Sequence, residues 1–132
     1  MEVDVEVLTK EILACANEVR KELKHGFEEK VYKNAMFIEM TSRTLDVKTE
    51  VPYDVNYKGH VVGLYRADIV VEDCVVVELK ANNALSTANE VQLVNYRNAS
   101  GIENGLLINF GGGRLECKRK YRTYRPKTTI TY

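Results

Sequence analysis

The sequence predicts an α/β fold, a mixed β-sheet flanked by helices in the order α-α-β-β-β-α-β-β. Three features carry that expectation. Apolar residues between Val5 and Leu23 recur at helical spacing. The stretch 47–71 alternates and is rich in β-branched and aromatic residues. The run 74–80, Cys-Val-Val-Val-Glu-Leu-Lys, is almost continuously apolar, as in a strand covered on both faces and therefore central. A chain of 132 residues can bury one core of this kind, so 1–132 reads as a single domain.

The first helix places Val5, Leu8, Ile12, Cys15 or Ala16, Val19 and Leu23 on one face, with Gly26 positioned to end it. A second helix over about 27–41 would bury Val31, Ala35 and Ile38. The first strand, 47–57, carries Pro52, which belongs on an edge or at a bulge. Lys58-Gly59 is a turn, and 60–71 the returning strand. After the central strand, Thr87-Ala88-Asn89-Glu90 is a capping-box pattern opening a third helix that runs to about Ala99. Residues 105–110 form another buried strand, Gly111-Gly112-Gly113 a turn, and 115–124 the last strand.

Composition narrows the class of protein. A 45% hydrophobic, 29% charged chain is neither a disordered tail nor a low-complexity repeat. No apolar run is long enough for a membrane span. The first six residues are acidic where a signal or transit peptide would be basic, so a cytoplasmic protein is expected, or a nuclear one in a eukaryotic source. Cys15, Cys74 and Cys117 are too widely spaced for a zinc site and read as buried reduced thiols. His25 and His60 stand alone, which leaves acid–base chemistry to carboxylates, lysines or a metal.

The balanced net charge conceals an asymmetry. Residues 114–132 hold seven basic side chains (Arg114, Lys118, Arg119, Lys120, Arg122, Arg125 and Lys127) against Glu116. Tyr121 and Tyr124 interleave with them, as in a surface that tracks a nucleic-acid backbone. A charged, solvated edge strand is the alternative.

The informative residues are charges inside apolar strands. Asp68 interrupts one strand, and Glu78 and Lys80 close the next. Burying such charges is costly unless they are paired or hold an ion. Asp/Glu-x-Lys occurs five times in the chain, so the pattern alone is uninformative; only at Glu78 does it end an apolar strand whose neighbour carries another carboxylate. A three-residue connection, Glu72-Asp73-Cys74, would set Asp68 opposite Glu78, whereas a two-residue turn would send them to opposite faces. Two carboxylates and a strand-end carbonyl suit Mg²⁺ or Mn²⁺. Lys80 would then face an attacking water or a scissile phosphate. A buried ion pair that binds nothing is the competing reading. Gln92 and Tyr96, four apart, share a face of the third helix.

Gly26-Phe27-Glu28-Glu29-Lys30-Val31-Tyr32 fits Gly-x-x-Glu-x-x-Tyr. The blocks Tyr65-Arg66-Ala67-Asp68, Val77-Glu78-Leu79-Lys80-Ala81, Gln92-Leu93-x-Asn95-Tyr96 and 106–111 follow in order. With these the chain resembles the GxxExxY protein family of the PD-(D/E)xK nuclease superfamily, from about Leu8 to Lys120. The resemblance implies a restriction-endonuclease-like core and a Mg²⁺- or Mn²⁺-dependent nuclease acting on nucleic acid, DNA rather than RNA. It implies metal ligation by Asp68, Glu78, the Leu79 carbonyl and Glu29, with Lys80 as catalytic lysine and Gln92 assisting. Tyr96 by that resemblance, and Arg114, Lys118, Lys120 and Arg122 by charge alone, would contact nucleic acid. No membrane partner is expected; a homodimer or a protein partner would fit. A non-catalytic nucleic-acid-binding or scaffolding module on the same fold is the alternative. The chain departs from the family pattern where Asp73 and Cys74 replace a glycine-containing turn.

Overall fold

The computed structural model describes residues 3–120, so Tyr121, Arg122, Tyr124, Arg125 and Lys127 lie outside the described residues. Helix α1 (Val5–Leu23) begins at Asp4, whose carboxylate accepts from the backbone N–H groups of Glu6 and Val7 at 3.0 and 3.3 Å. It buries Leu8, Ile12, Cys15, Ala16 and Val19, the stripe its spacing predicts. Its C-cap is Lys24 (φ 61°), two residues before the expected Gly26, which also has positive φ.

Helix α2 (Glu29–Ser42) starts two residues later than predicted and is turned relative to the expectation. Tyr32, Met36 and Met40 face the core, while Val31 and Ile38 are exposed and Ala35 is half-buried. The two stripes lie one residue apart on the helix, about 100° around its axis. Tyr32 decides between them. Its ring stacks on Phe110 with centroids 4.6 Å apart, and its hydroxyl donates to the Lys24 carbonyl at 2.6 Å.

Strands β1 (Val47–Tyr57), β2 (His60–Val71), β3 (Val75–Lys80), β4 (Asn104–Asn109) and β5 (Glu116–Lys120) form one sheet in chain order. All neighbouring pairs are antiparallel except β3–β4, which is joined through helix α3 (Thr87–Ser100). β3 is central, as its apolar run predicts, and Pro52 sits on an edge strand. The cap of α3 falls one residue before the predicted one: Ser86 accepts from the Asn89 backbone, and the Asn89 side chain returns the bond.

Helices α1 and α2 cover one sheet face, with Ile69, Val71, Val75, Val77, Leu79, Ile108 and Phe110 in their core. Helix α3 covers the other face over Tyr65, Ala67, Val70 and Val76. The three cysteines are free thiols, but Cys15 alone of them is fully buried; Cys74 and Cys117 are half-covered. No helix among the described residues is long and apolar enough to cross a membrane.

Candidate active site

The β2–β3 connection has the odd length on which the carboxylate reading depends. Val71 pairs with Val75, and Glu72 (φ 52°) and Asp73 (φ 53°) both take the left-handed conformation in place of glycine. The ladder runs from Val71–Val75 to Ile69–Val77 and stops there. One step further the strands part, and each contributes a carboxylate that satisfies the other's backbone. The Leu79 N–H donates to Asp68 Oδ2 at 2.9 Å, and the Asp68 N–H donates to Glu78 Oε1 at 3.3 Å. The fork between the strands is thus closed by Asp68 and Glu78.

Strand β2 also changes face here. Before Asp68 the odd residues Tyr65 and Ala67 pack toward α3; after it the even residue Val70 does. The register on the β1 side is constant across this point, with Thr49 opposite Ile69 and Val51 opposite Ala67. Glu50, between those two β1 residues, has φ 54°. The break in alternation aims Asp68 at the α2 side, where it lines a cavity of about 230 Å³ with Glu29, Lys30, Lys33 and Leu79.

Glu78 is 5% exposed. Burial, and next the neighbouring Asp68 charge, push its carboxyl up to about 8. Its Oε1 also accepts from the Tyr65 hydroxyl, whose own ionisation is pushed far up by burial and by Glu78. The Tyr65 ring stacks on Tyr96 of α3 with centroids 3.5 Å apart. Of the expected i, i+4 pair, Tyr96 buttresses the tyrosine that holds Glu78.

Glu29, the first residue of α2, faces the same cavity. Burial raises its carboxyl; the Lys80 charge opposes that rise and the Asp68 charge adds to it. The Gly-x-x-Glu-x-x-Tyr segment has a physical reading: Gly26 (φ 112°) turns the chain, Glu29 reaches the site, and Tyr32, one turn on, pins the helix to the core. Lys80 is half-buried at the end of β3, and its ammonium makes no hydrogen bond or ion pair among the described residues. Lys33, by contrast, pairs with Glu50.

Asp68, Glu78 and Glu29 supply hard oxygen donors, the chemistry of Mg²⁺ or Mn²⁺ sites. Burial is the first cause of the raised carboxyls of both Glu78 and Glu29, and the Asp68 charge adds to each. Asp68 and Glu29 line one cavity, and Glu78 touches Asp68 from the neighbouring strand without lining it. Among the described residues, no three His, Cys, Asp or Glu side chains converge as a closed metal cluster.

The basic residues are divided. Arg119 makes a two-pronged pair with Glu6 at 2.9 and 2.8 Å, and Lys120 pairs with Glu90 at 3.0 Å. Arg114 and Lys118 are exposed, and Arg122 is outside the described residues. Tyr65, Lys33 and, through Lys33, Glu50 also border the site. Strict alternation would place Tyr65 and Asp68 on opposite faces, so period-two reasoning carries no signal for their meeting at Glu78.

A mixed sheet with helices on both faces and a carboxylate fork beside its central strand defines a restriction-endonuclease-like protein. The family model for the PD-(D/E)XK nuclease superfamily matches residues 6–120, and the chain belongs to that superfamily. Among solved structures, one described as "Crystal structure of SSO0001" superposes with a TM-score of 0.51 at 17% identity, over 73% of this chain and 50% of that one. That likeness is one of fold, and this chain spans about half of that structure's length. No curated protein matches the chain.

Proposed function

We propose that this chain is a single-domain, metal-dependent nuclease that hydrolyses phosphodiester bonds, with DNA rather than RNA as substrate. The observation that carries the reading is the fork itself: Asp68 and Glu78, each hydrogen-bonded to the other strand's backbone, with Glu29 close enough to Asp68 to feel its charge.

Asp68, Glu78, the Leu79 carbonyl and Glu29 would hold Mg²⁺ or Mn²⁺. When bound, the ion supplies an acidified water and neutralises phosphate charge. Lys80 offsets the negative charge that grows on the scissile phosphate. Tyr65 holds the Glu78 carboxylate and is backed by Tyr96, with Gln92 one turn before it on α3 assisting. Arg114 and Lys118 contact flanking phosphates, joined by Lys120 and Arg122. Phosphate contacts of this kind make binding weaken with added salt. Within the superfamily we place the chain in the GxxExxY group, on the roles of Gly26, Glu29 and Tyr32.

The test is cleavage of mixed DNA and RNA substrates with Mn²⁺ or Mg²⁺, by the wild type and by Asp68→Asn, Glu78→Gln and Lys80→Ala. Metal-dependent cutting lost in all three variants is expected. Nucleic-acid binding that survives chelator and Lys80→Ala, with no cutting under any metal, would refute the proposal in favour of a non-catalytic binding module.

A further inference from the structure

A cavity bordering the Tyr65–Tyr96 stack is distinct from the one that holds Asp68. It lies on the α3 side, between the outer half of the β1–β2 hairpin and the C-terminal half of α3, with a volume of about 480 Å³. That is within the ordinary range for a small-molecule pocket. Tyr65 and Tyr96 form its aromatic wall, and Asp54, Asn56, Asn95 and Asn98 its polar rim. We propose that this cavity takes one unstacked nucleobase of the nucleic-acid substrate.

Four observations point to a base rather than to a phosphate or a metal. Tyr96 is half-buried and lies on the buried Tyr65 ring at 11°, so the Tyr96 face turned away from Tyr65 is the flat surface on which a base can stack. The side-chain amides of Asn56, Asn95 and Asn98 make no hydrogen bond among the described residues. Each amide presents both a donor and an acceptor, as the edge of a base does. No lysine or arginine lines the cavity among the described residues, so it has nothing with which to recognise phosphate charge. Finally, the register of the β1–β2 ladder shifts between Val55 and Asn56, at the cavity wall. Regular alternation would turn only every second β1 residue inward. The irregularity lets Asp54, Val55 and Asn56 all line the cavity.

The inference rests on the nuclease reading for the identity of the ligand, and it sharpens that reading. A base can reach this wall only when it is out of the helical stack, so single-stranded or locally opened substrate is favoured over intact duplex. Tyr65 joins the two sites, because the ring that walls the base cavity carries the hydroxyl that holds Glu78.

The experiment uses the full chain in chelator, with no metal and no cleavage. Adenosine, guanosine, cytidine and thymidine are titrated singly and followed by NMR at the tyrosine rings and side-chain amides. The second probe is a single-stranded oligonucleotide, intact or with one central abasic site. We expect nucleoside-induced shifts centred on Tyr65, Tyr96, Asn95 and Asn98. We also expect about a tenfold loss of oligonucleotide affinity for the abasic strand, as loss of one base–aromatic stack implies. Asn95→Ala and Asn98→Ala, both exposed, should weaken nucleoside binding without unfolding the protein. Equal affinity for intact and abasic strands, with no shifts at these residues, would overturn the base cavity while leaving metal-dependent cleavage untouched. Nucleoside binding at these residues, in a protein that cuts nothing with Mn²⁺, would uphold the cavity and remove the nuclease reading instead.

Discussion

Replacing Glu78 by glutamine should stabilise the metal-free protein, although it removes a residue central to the proposed chemistry. The Glu78 carboxyl is raised from an ordinary 4.5 to about 8, chiefly by burial and then by Asp68. The folded state therefore holds a proton that the unfolded chain has released. Stability is lost as pH rises from about 4.5 to about 8 and is level beyond. At about 1.36 kcal/mol per pH unit, the interval from 4.5 to neutral pH costs the wild type about 3 kcal/mol. Glutamine has the same shape and never ionises. It keeps an oxygen for the Tyr65 hydroxyl and the Asp68 N–H, and it adds an N–H donor beside the Asp68 carboxylate. Urea unfolding in chelator should show Glu78→Gln more stable by about 3 kcal/mol at pH 7, and nearly equal to wild type at pH 4.5. Saturating Mn²⁺ should close the gap, since a ligand at a hundred times its Kd adds about 2.7 kcal/mol to the form that binds it. A variant less stable than wild type at pH 8 in chelator would refute the argument, as would a difference that does not change with pH.

Three other outcomes follow from the structure. Lys80→Ala should lower the metal-dependent cleavage rate by about a hundredfold or more while changing unfolding free energy by under about 1 kcal/mol, because the ammonium has no ion-pair partner among the described residues to strand. A loss of several kcal/mol in urea unfolding would instead reveal a structural ion-pair network. Gly111→Ala should fail to fold or lose more than about 3 kcal/mol by thermal unfolding, since a Cβ there would sit 2.4–2.6 Å from backbone atoms of Ala81 and Asn82. Tyr32→Phe keeps the Phe110 stack but deprives the Lys24 carbonyl and the Phe27 N–H of their partner, and calorimetry should show a loss of about 1–3 kcal/mol.

What the sequence made legible was local and periodic. The α1 stripe, the central place of β3 and the odd connection at Glu72-Asp73-Cys74 all follow from spacing and alternation. The face of α2 does not, because Val31-Ala35-Ile38 and Tyr32-Met36-Met40 are both apolar rows at helical spacing. Only the distant Phe110 and the Lys24 carbonyl choose between them. The pairs Arg119–Glu6 and Lys120–Glu90 likewise join residues far apart in the chain, so a basic run that looks free in one dimension is partly neutralised in three.

The site shows the same division with more at stake. Asp68 and Glu78 stand out as charges in apolar strands, yet the break in alternation that brings Tyr65 and Asp68 to the same glutamate occurs opposite Glu50, a left-handed residue that is not glycine. Several features here run against stability together: a strained β1 residue, a ladder abandoned after Ile69–Val77, a buried carboxyl beside another, and a lysine without a pair among the described residues. All of them surround Asp68 and Glu78, and a bound divalent cation would relieve the carboxylate repulsion. A purely structural ion pair would instead have joined Lys80 to those carboxylates.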